Sequence, residues 1–267
     1  MAKDGKKTKK AARRGELTEL TEKAFLAAYD PSAFERPSVA VDVALLSVVD
    51  GALFTLLLQR SEHPFKGRWS LPGGFVRVDE SLDAAARRLL AEKGKLSGVF
   101  LEQLMTFGDP RRDPRMRVVS VAYYALVDRR RFEEAALGSP DLVVARIDVP
   151  WEGETGGPVD VGIGLGSADA TSPASLAFDH AEILGTAVKR IRGKLDYSPI
   201  GFQLLGDTFT LLDLQRVHET VLGRPLNKDS FRRRMLASGQ LEATGEMESD
   251  VDHRPAELYR FVKRSAV

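Results

Sequence analysis

The sequence of 267 residues contains no cysteine. This absence excludes disulfide scaffolds, thiolate zinc sites and cysteine nucleophiles. No stretch approaches the roughly 18 consecutive apolar residues of a membrane-spanning helix, and the start of the chain lacks the apolar run of a secretory signal. We therefore expect a cytoplasmic protein with no membrane partner.

Net charge is also small, at +1, but the charge is unevenly distributed along the chain. Residues 1–14 carry seven basic side chains against Asp4, a net +6, so the remaining residues sum to −5. A dense basic stretch buries nothing and repels itself. We expect residues 1–16 to form a disordered tail that either adds nonspecific attraction to phosphate backbones or only keeps the chain in solution.

Apolar residues, by contrast, are plentiful enough for a core, at 43% of the chain against 29% charged residues. Strand and helix patterns mix through residues 37–197, which predicts an α/β or α+β sandwich. Residues 150–173 are rich in glycine and are expected to run over the surface. Helices are predicted over residues 17–28, 81–93 and about 175–194; strands are predicted over residues 39–46, 53–58 and 118–127, the first two joined by a turn at Asp50-Gly51.

The pattern changes after Pro199. Two short helices are predicted, at residues 211–222 and 229–238, and two strand-like pieces follow at residues 240–244 and 257–262. Two helices and then a hairpin is the order of a winged helix-turn-helix. We therefore predict one domain over residues 17–197 and a second, DNA-binding domain over residues 198–267.

One spaced motif points to chemistry. Gly74 is followed by Glu80 after five residues and by Arg88 after seven more, and the run Arg68-Trp-Ser-Leu-Pro-Gly73 precedes it. This pattern resembles the Nudix box, G-x5-E-x7-R-E-U-x-E-E-x-G-U, with its usual lead. The resemblance implies a Nudix sandwich with a mixed sheet, which binds nucleoside diphosphates linked to another group.

Two of the three metal-binding carboxylates of the box are missing from this chain. In active Nudix enzymes three carboxylates, at the positions of residues 89, 92 and 93, hold magnesium against the pyrophosphate. This chain has Leu89, Glu92 and Lys93 there. We therefore predict no catalytic residue, no metal site and no resident cofactor.

Binding is expected to survive that loss. Gly73 and Gly74 permit close approach of a phosphate to the backbone, and arginines grip phosphate through paired donors. The alternative is that Arg88 and Glu92 form an ordinary i, i+4 pair and the glycines only make a turn. The ligand-binding residues that we predict are Arg68, Gly73, Gly74, Glu80, Arg88, Glu92, Arg117 and His180.

The second helix of the C-terminal domain is predicted to read DNA. Phe231 and Met235 fix its buried face, and Arg233 then points nearly opposite Phe231. We expect Arg232 or Arg233 to reach base edges and Lys228 and Arg234 to contact phosphates; the alternative is a solvated basic face. The predicted DNA-binding residues are Asn227, Lys228, Ser230, Arg232, Arg233, Arg234 and Arg254.

The charge of the hairpin argues against DNA binding. Residues 241–257 carry a net charge of −5, which the phosphates of DNA repel. We expect the wing to point away from a duplex, with its base near Arg254 making any contact. The connector at residues 195–205 is predicted to be the hinge between the domains.

A degenerate Nudix domain followed by a winged helix resembles the NrtR family of Nudix-related regulators of NAD metabolism, over about residues 23–262. The resemblance implies a homodimeric repressor of NAD biosynthesis or salvage genes, associated with the nucleoid through a palindromic double-stranded DNA operator. It also implies an effector, ADP-ribose or a related NAD metabolite, in the Nudix pocket. The alternatives are a Nudix hydrolase that cleaves ADP-ribose at an unusual metal site, and a noncatalytic adaptor that binds protein or RNA.

Overall fold

The computed structural model describes residues 21–164, 172–249, 252 and 254–262. The chain divides into two compact units, residues 1–37 and residues 38–267. In the first unit, helix α1 (Glu22–Ala28) is capped by the Thr21 hydroxyl and is followed by a 3-10 helix at Pro31–Ala33. The helix predicted over residues 17–28 is confirmed in its second part; residues 17–20 and the basic tail lie outside the described residues.

The second unit is built on a mixed sheet. Its strands in the described part of the chain are β1 (Ser38–Val49), β2 (Ala52–Gln59), β3 (Trp69–Ser70), β4 (Gly73–Phe75), β5 (Phe100–Phe107), β6 (Val118–Leu126), β7 (Leu142–Asp148), β8 (Asp160–Ile163) and β9 (Ser172–Pro173). They lie in the order β5-β6-β1-β2-β7-β8-β9, with β4 beside β1 and β3 beside β2. β1 runs parallel to β6, whereas β2 pairs antiparallel with both β1 and β7.

The turn between β1 and β2 follows from its two residues. Asp50 and Gly51 both have positive φ, +47° and +76°, as the commonest two-residue hairpin turn requires. The predicted hairpin is confirmed. β1 itself is buried along most of its length, because helices cover both faces of the sheet.

Three helices form those outer layers: α2 (Leu82–Gly94), α3 (Arg129–Leu137) and α4 (His180–Lys194). On one face, Leu89 of α2 packs with Leu45 of β1 and with α3. On the other face, Ile183 and Ile191 of α4 pack with Leu46 of β1. The predicted α/β or α+β sandwich is confirmed.

Two predictions between residues 150 and 194 were wrong. The last helix of the sandwich begins at His180 and not near Ser175, because the carbonyl of Ser175 and the N–H of Ala177 bond to the backbone of Trp69 and hold this segment extended. Residues 150–173 also do not run only over the surface, since Val159 and Val161 are buried and β8 pairs with β7. Their period-two apolar pattern was hidden by the neighbouring glycines.

The C-terminal domain has the predicted order of elements. A 3-10 helix (Pro199–Leu204) is followed by α5 (Leu211–Leu222), α6 (Lys228–Ala237), β10 (Leu241–Met247) and β11 (Glu257–Phe261). Thr210 and Asp213 form a capping box at the start of α5, and Gly223 ends this helix in the left-handed conformation. The helix predicted over residues 211–222 is confirmed.

The connector at residues 195–205 packs against the sandwich. Ile200 and Leu204 belong to the same hydrophobic cluster as Leu46 and Ile191 of the sandwich, and Val217 and Val221 of α5 join it. These apolar side chains bury the connector, and the hinge predicted at residues 195–205 stays a prediction. Among the described helices, none combines the length and the apolar character that a membrane crossing requires.

This packing predicts a cost for a single methyl group at Gly201. A Cβ atom there would lie 2.8 Å from Cε1 of His218, and that ring is held by a 2.8 Å hydrogen bond between Nδ1 and the Leu214 carbonyl. We expect Gly201→Ala to lower the free energy of unfolding by about 1–3 kcal/mol, as measured by urea denaturation. The matched control is Gly206→Ala, because a Cβ at Gly206 would meet its nearest atom at 3.8 Å; equal stability of the two variants would contradict the prediction.

Candidate functional site

A cavity of about 810 Å³ opens where β1 to β4 meet the start of α4. Of the predicted ligand-binding residues, Gly73, Gly74 and His180 line it. The others do not line it in the described part of the chain: Arg68, Glu80, Arg88, Glu92 and Arg117. A larger cleft of about 1210 Å³ separates the β1–β2 turn from α5. Its Arg129 is already paired with two carboxylates, so we place the candidate ligand site in the smaller cavity.

A buried ion network forms one wall of the cavity. The Asp42 carboxylate accepts hydrogen bonds from Ser120 Oγ (2.6 Å) and Arg112 Nη2 (3.2 Å). Arg112 also donates to both oxygens of Asp179, at 2.8 and 2.6 Å. His180 Nε2 lies 3.6 Å from Asp42 Oδ1, while His180 Nδ1 accepts from the Leu71 N–H at 3.0 Å.

This network keeps Asp42 ionised. Burial alone would raise the pKa of the carboxyl, but the interactions with His180, Ser120 and Arg112 outweigh it and hold the pKa well below its ordinary value. Gly73 completes the arrangement, because a Cβ there would lie only 2.2 Å from Asp42 Oδ1. The tight approach at Gly73 is thus to a neighbouring strand; its predicted contact with a phosphate stays a prediction.

The Nudix-box helix braces the loop that precedes it. Arg88 donates to both Glu80 oxygens, at 2.9 and 2.5 Å, and to Glu92 at 3.3 Å. The hydrogen bond from Arg88 is the main cause that lowers the pKa of Glu80 to about 2. The i, i+4 alternative therefore describes the Arg88–Glu92 contact, while binding of a ligand by these residues stays a prediction.

The carboxylate positions of the box do not fit magnesium. Leu89 is buried in the core, and the Lys93 ammonium donates to the Gly73 carbonyl at 2.5 Å. Among the described residues, no group of three or more His, Cys, Asp or Glu side chains is placed to hold a metal ion. A divalent cation requires several oxygen ligands, and this helix offers an ammonium in its place.

Sequence reasoning missed several cavity residues: Asp42, Arg60, Arg112 and Arg115. A signal existed for Asp42, because a charged residue in the middle of a buried strand is rare unless it is paired. Phe178, two residues before His180, also lines the cavity with a φ of +52°. Its ring packs edge-on against Phe65 with 4.9 Å between centroids and gives the cavity an apolar patch next to its charged wall.

The second candidate site is α6. Phe231 and Met235 are buried, as predicted, and Lys228, Ser230 and Arg232 to Arg234 are all exposed. The Asn227 side chain accepts from the Ser230 N–H at 2.9 Å and so caps the helix. Arg234 lies 3.6 Å from Asp196, which leaves Arg232 and Arg233 as the less restrained guanidinium groups. No described ion pair involves either of them.

The wing is acidic, as its sequence indicates, but part of its charge is compensated. Glu242 of β10 pairs with Arg260 of β11 at 2.9 Å. The hairpin is anchored to the domain through Tyr259, whose backbone exchanges two hydrogen bonds with Phe209. Arg254 is exposed just before β11, while residues 250, 251 and 253 lie outside the described residues.

The Asp42 network predicts a defined pH response. A carboxyl whose pKa is depressed by folding contributes stability that is present at neutral pH and is lost as the pH falls below its ordinary value, 3.8. We expect Asp42→Asn to lower the free energy of unfolding by about 1–3 kcal/mol at pH 7. The difference from the unsubstituted protein should shrink as the pH falls below that value in urea titrations. Asp79→Asn, at an exposed position, is the control; a pH-independent loss for Asp42→Asn would refute the electrostatic account.

Both halves of the chain match known families. Residues 36–146 match the NUDIX domain, and residues 201–261 match the NrtR DNA-binding winged helix domain. The fold and the two sites thus define a protein that joins a Nudix domain to a DNA-binding winged helix domain.

Relatives identify the family. The ADPR responsive transcriptional repressor NtrR of Acinetobacter baylyi is 37% identical over 243 residues, which cover 90% of this chain and 88% of that protein. The crystal structure of Shewanella oneidensis NrtR complexed with a 27mer DNA superposes with a TM-score of 0.68 at 34% identity, covering 84% of this chain and 93% of that one. A MutT/nudix family protein from Enterococcus faecalis superposes with a TM-score of 0.72 at 26% identity, covering 95% and 98%. The chain belongs to the NrtR family, which confirms the resemblance inferred from its two halves.

Proposed function

We propose that this protein is a homodimeric transcriptional repressor of NAD biosynthesis or salvage genes, and that ADP-ribose or a related NAD metabolite in the 810 Å³ cavity releases it from DNA. One observation carries the proposal: the chain joins a cavity that lacks the metal-binding carboxylates to a winged helix with exposed arginines. The Acinetobacter baylyi relative, named for ADPR response and repression, supports it.

In this proposal α6 is the recognition helix. Its buried face, Phe231 and Met235, turns Arg232 and Arg233 outward, where guanidinium groups can pair with the O6 and N7 acceptors of guanine in a major groove. Lys228 at the start of the helix is placed for a phosphate. A two-fold dimer would present two such helices about 34–36 Å apart to a palindromic operator.

The test is fluorescence anisotropy with DNA from upstream of NAD-synthesis genes, with and without ADP-ribose. We expect saturable binding that ADP-ribose reverses, with the nucleotide recovered uncleaved. Arg232→Ala or Arg233→Ala should weaken specific binding about 5- to 150-fold, the equivalent of about 1–3 kcal/mol, and relax the base preference. Lys228→Ala should instead weaken binding to all sequences and reduce its salt dependence.

Arg216→Ala serves as the control, since Arg216 is an exposed residue of α5 outside the recognition helix. Absence of specific binding at moderate salt, or equal effects of all these substitutions, would overturn the assignment of α6.

Helix α4 connects the two sites. Its first residue, His180, lines the cavity, and its 15 residues span about 22 Å. At the other end Arg192 is buried and donates to the Val221 carbonyl of α5 at 2.7 Å and to the Gly153 carbonyl at 2.9 Å. Burial lowers the pKa of this guanidinium, and in the described residues no carboxylate lies within 4.0 Å of it. We propose that Arg192 transmits displacement of α4 to the DNA-binding domain.

This route predicts that Arg192→Met uncouples the sites. ADP-ribose binding, measured by calorimetry, should change little, while the ratio of DNA affinities without and with ADP-ribose should fall at least about fivefold, because coupling free energies are typically 1–3 kcal/mol. Arg190→Met is the matched control, since Arg190 donates to Leu104 of β5 and not to α5. Unchanged coupling in Arg192→Met would refute the route.

The alternative function is that of a Nudix hydrolase. The ADP-ribose pyrophosphatase of Methanocaldococcus jannaschii is 36% identical over 88 residues, a third of this chain and half of that protein. We propose that this chain is not a hydrolase and needs no resident cofactor, because Leu89 is buried and Lys93 is a cation. Magnesium-dependent consumption of ADP-ribose in the anisotropy samples would establish the hydrolase instead.

A further inference from the structure

We infer that the Lys93 ammonium replaces the magnesium ion of Nudix enzymes and binds the diphosphate of the effector directly, without metal. This inference rests on the proposed function, because it names the group that holds the same ligand. It makes effector binding independent of divalent cations.

At the three metal-ligand positions of the Nudix box, this chain has no carboxylate that is free of an ion pair. Leu89 is apolar and buried. Glu92, the remaining carboxylate of the set, faces Arg88 at 3.3 Å and Arg77 at 3.7 Å. A carboxylate that is already paired with guanidinium groups is a poor ligand for a divalent cation, which would have to displace them.

The Lys93 ammonium lies at the cavity wall. Lys93 lines the cavity together with Gly73 and Gly74, and a Cβ at Gly74 would lie 3.0 Å from Leu89 Cδ2 and 3.7 Å from Lys93 Nζ. The glycine thus makes room for these two side chains and lets the cation approach the backbone of β4. An ammonium has three N–H donors. Within the described residues one bonds to the Gly73 carbonyl and no carboxylate lies within 4.0 Å, so two donors are available to a ligand.

Two arginines, Arg60 and Arg115, line the same cavity as Lys93. Desolvation lowers the pKa of Arg60, and the charge of Arg115 lowers it further. Desolvation likewise lowers the pKa of Lys93, and although Asp42 and Glu92 oppose this, the charge of Arg60 adds to it. Cations that repel one another across a cavity are stabilised by a bound anion.

The buried acids of the cavity have hydrogen-bond partners other than Lys93. Asp42 accepts hydrogen bonds from Arg112 and Ser120, and Asp113 accepts two from the Arg115 guanidinium, at 3.0 and 2.8 Å. The remaining acids of the lining, Glu62 and Asp141, are solvent-exposed. Arg60 has no carboxylate within 4.0 Å in the described residues and lies over the Phe178 ring at 4.8 Å, so Arg60 and Lys93 are the cations open to a diphosphate.

The experiment is isothermal titration of the full chain with ADP-ribose in excess EDTA and, separately, in magnesium. We expect equal affinity in the two buffers. Lys93→Met should weaken binding about 10-fold or more in both, because a charge-assisted contact to phosphate is lost, and Lys93→Arg should retain most of the affinity. Lys93→Glu should abolish binding in EDTA. Lys95→Met is the matched control, since Lys95 donates to the Glu92 carbonyl and does not line the cavity.

The outcomes separate this inference from the proposed function. If the unsubstituted protein binds ADP-ribose in neither buffer, the proposed function itself fails. If it binds only with magnesium, or if Lys93→Met binds as tightly as the unsubstituted protein, the proposed function stands and the role of Lys93 is overturned. Melting temperatures identify any variant that does not fold. If Lys93→Met does not fold, the role of Lys93 is tested by the two other variants, provided that both fold. Loss of affinity in Lys93→Glu together with retention in Lys93→Arg would support it, and equal affinity of the two would overturn it.

Discussion

A carboxylate in the middle of a buried strand must find its counter-charges inside the protein, and this requirement at Asp42 organises the cavity. Arg112 reaches it from the loop before β6, Ser120 from β6 itself and His180 from the first turn of α4. A buried charge that loses a partner is strongly destabilising. The pieces of chain that carry these groups are therefore held in fixed positions, and the cavity between them is formed before any ligand arrives.

Local signals in the sequence predicted the elements that depend on them. The Asp50-Gly51 turn needs only its own two residues, and the helix predicted over residues 211–222 is bounded by the local capping box of Thr210 and Asp213 and by Gly223. The start of α4 was misplaced because residues 175–177 are extended by pairing with Trp69, more than a hundred residues earlier. Propensity within a short window carries no information on such a partner, and this is why local prediction failed there.

The candidate site was predictable in its chemistry and not in its geometry. The box spacing identified the helix and showed that Leu89 and Lys93 cannot serve as metal ligands. Spacing could not show that Arg88 turns to Glu80, or that Lys93 turns to the Gly73 carbonyl on the cavity side. Side-chain direction depends on which loop packs over the helix, and that loop is placed by the sheet.

Helix α5 contributes to two interiors at once: Leu214 packs within the C-terminal domain, whereas Val217 and Val221 pack into the sandwich. Separation of the two domains would expose those valines to water, so the domains share one unfolding equilibrium. Any molecule that binds the folded sandwich then draws the whole chain towards its folded form by mass action. Binding in the cavity then also stabilises the fold of the domain that carries α6, even with DNA absent.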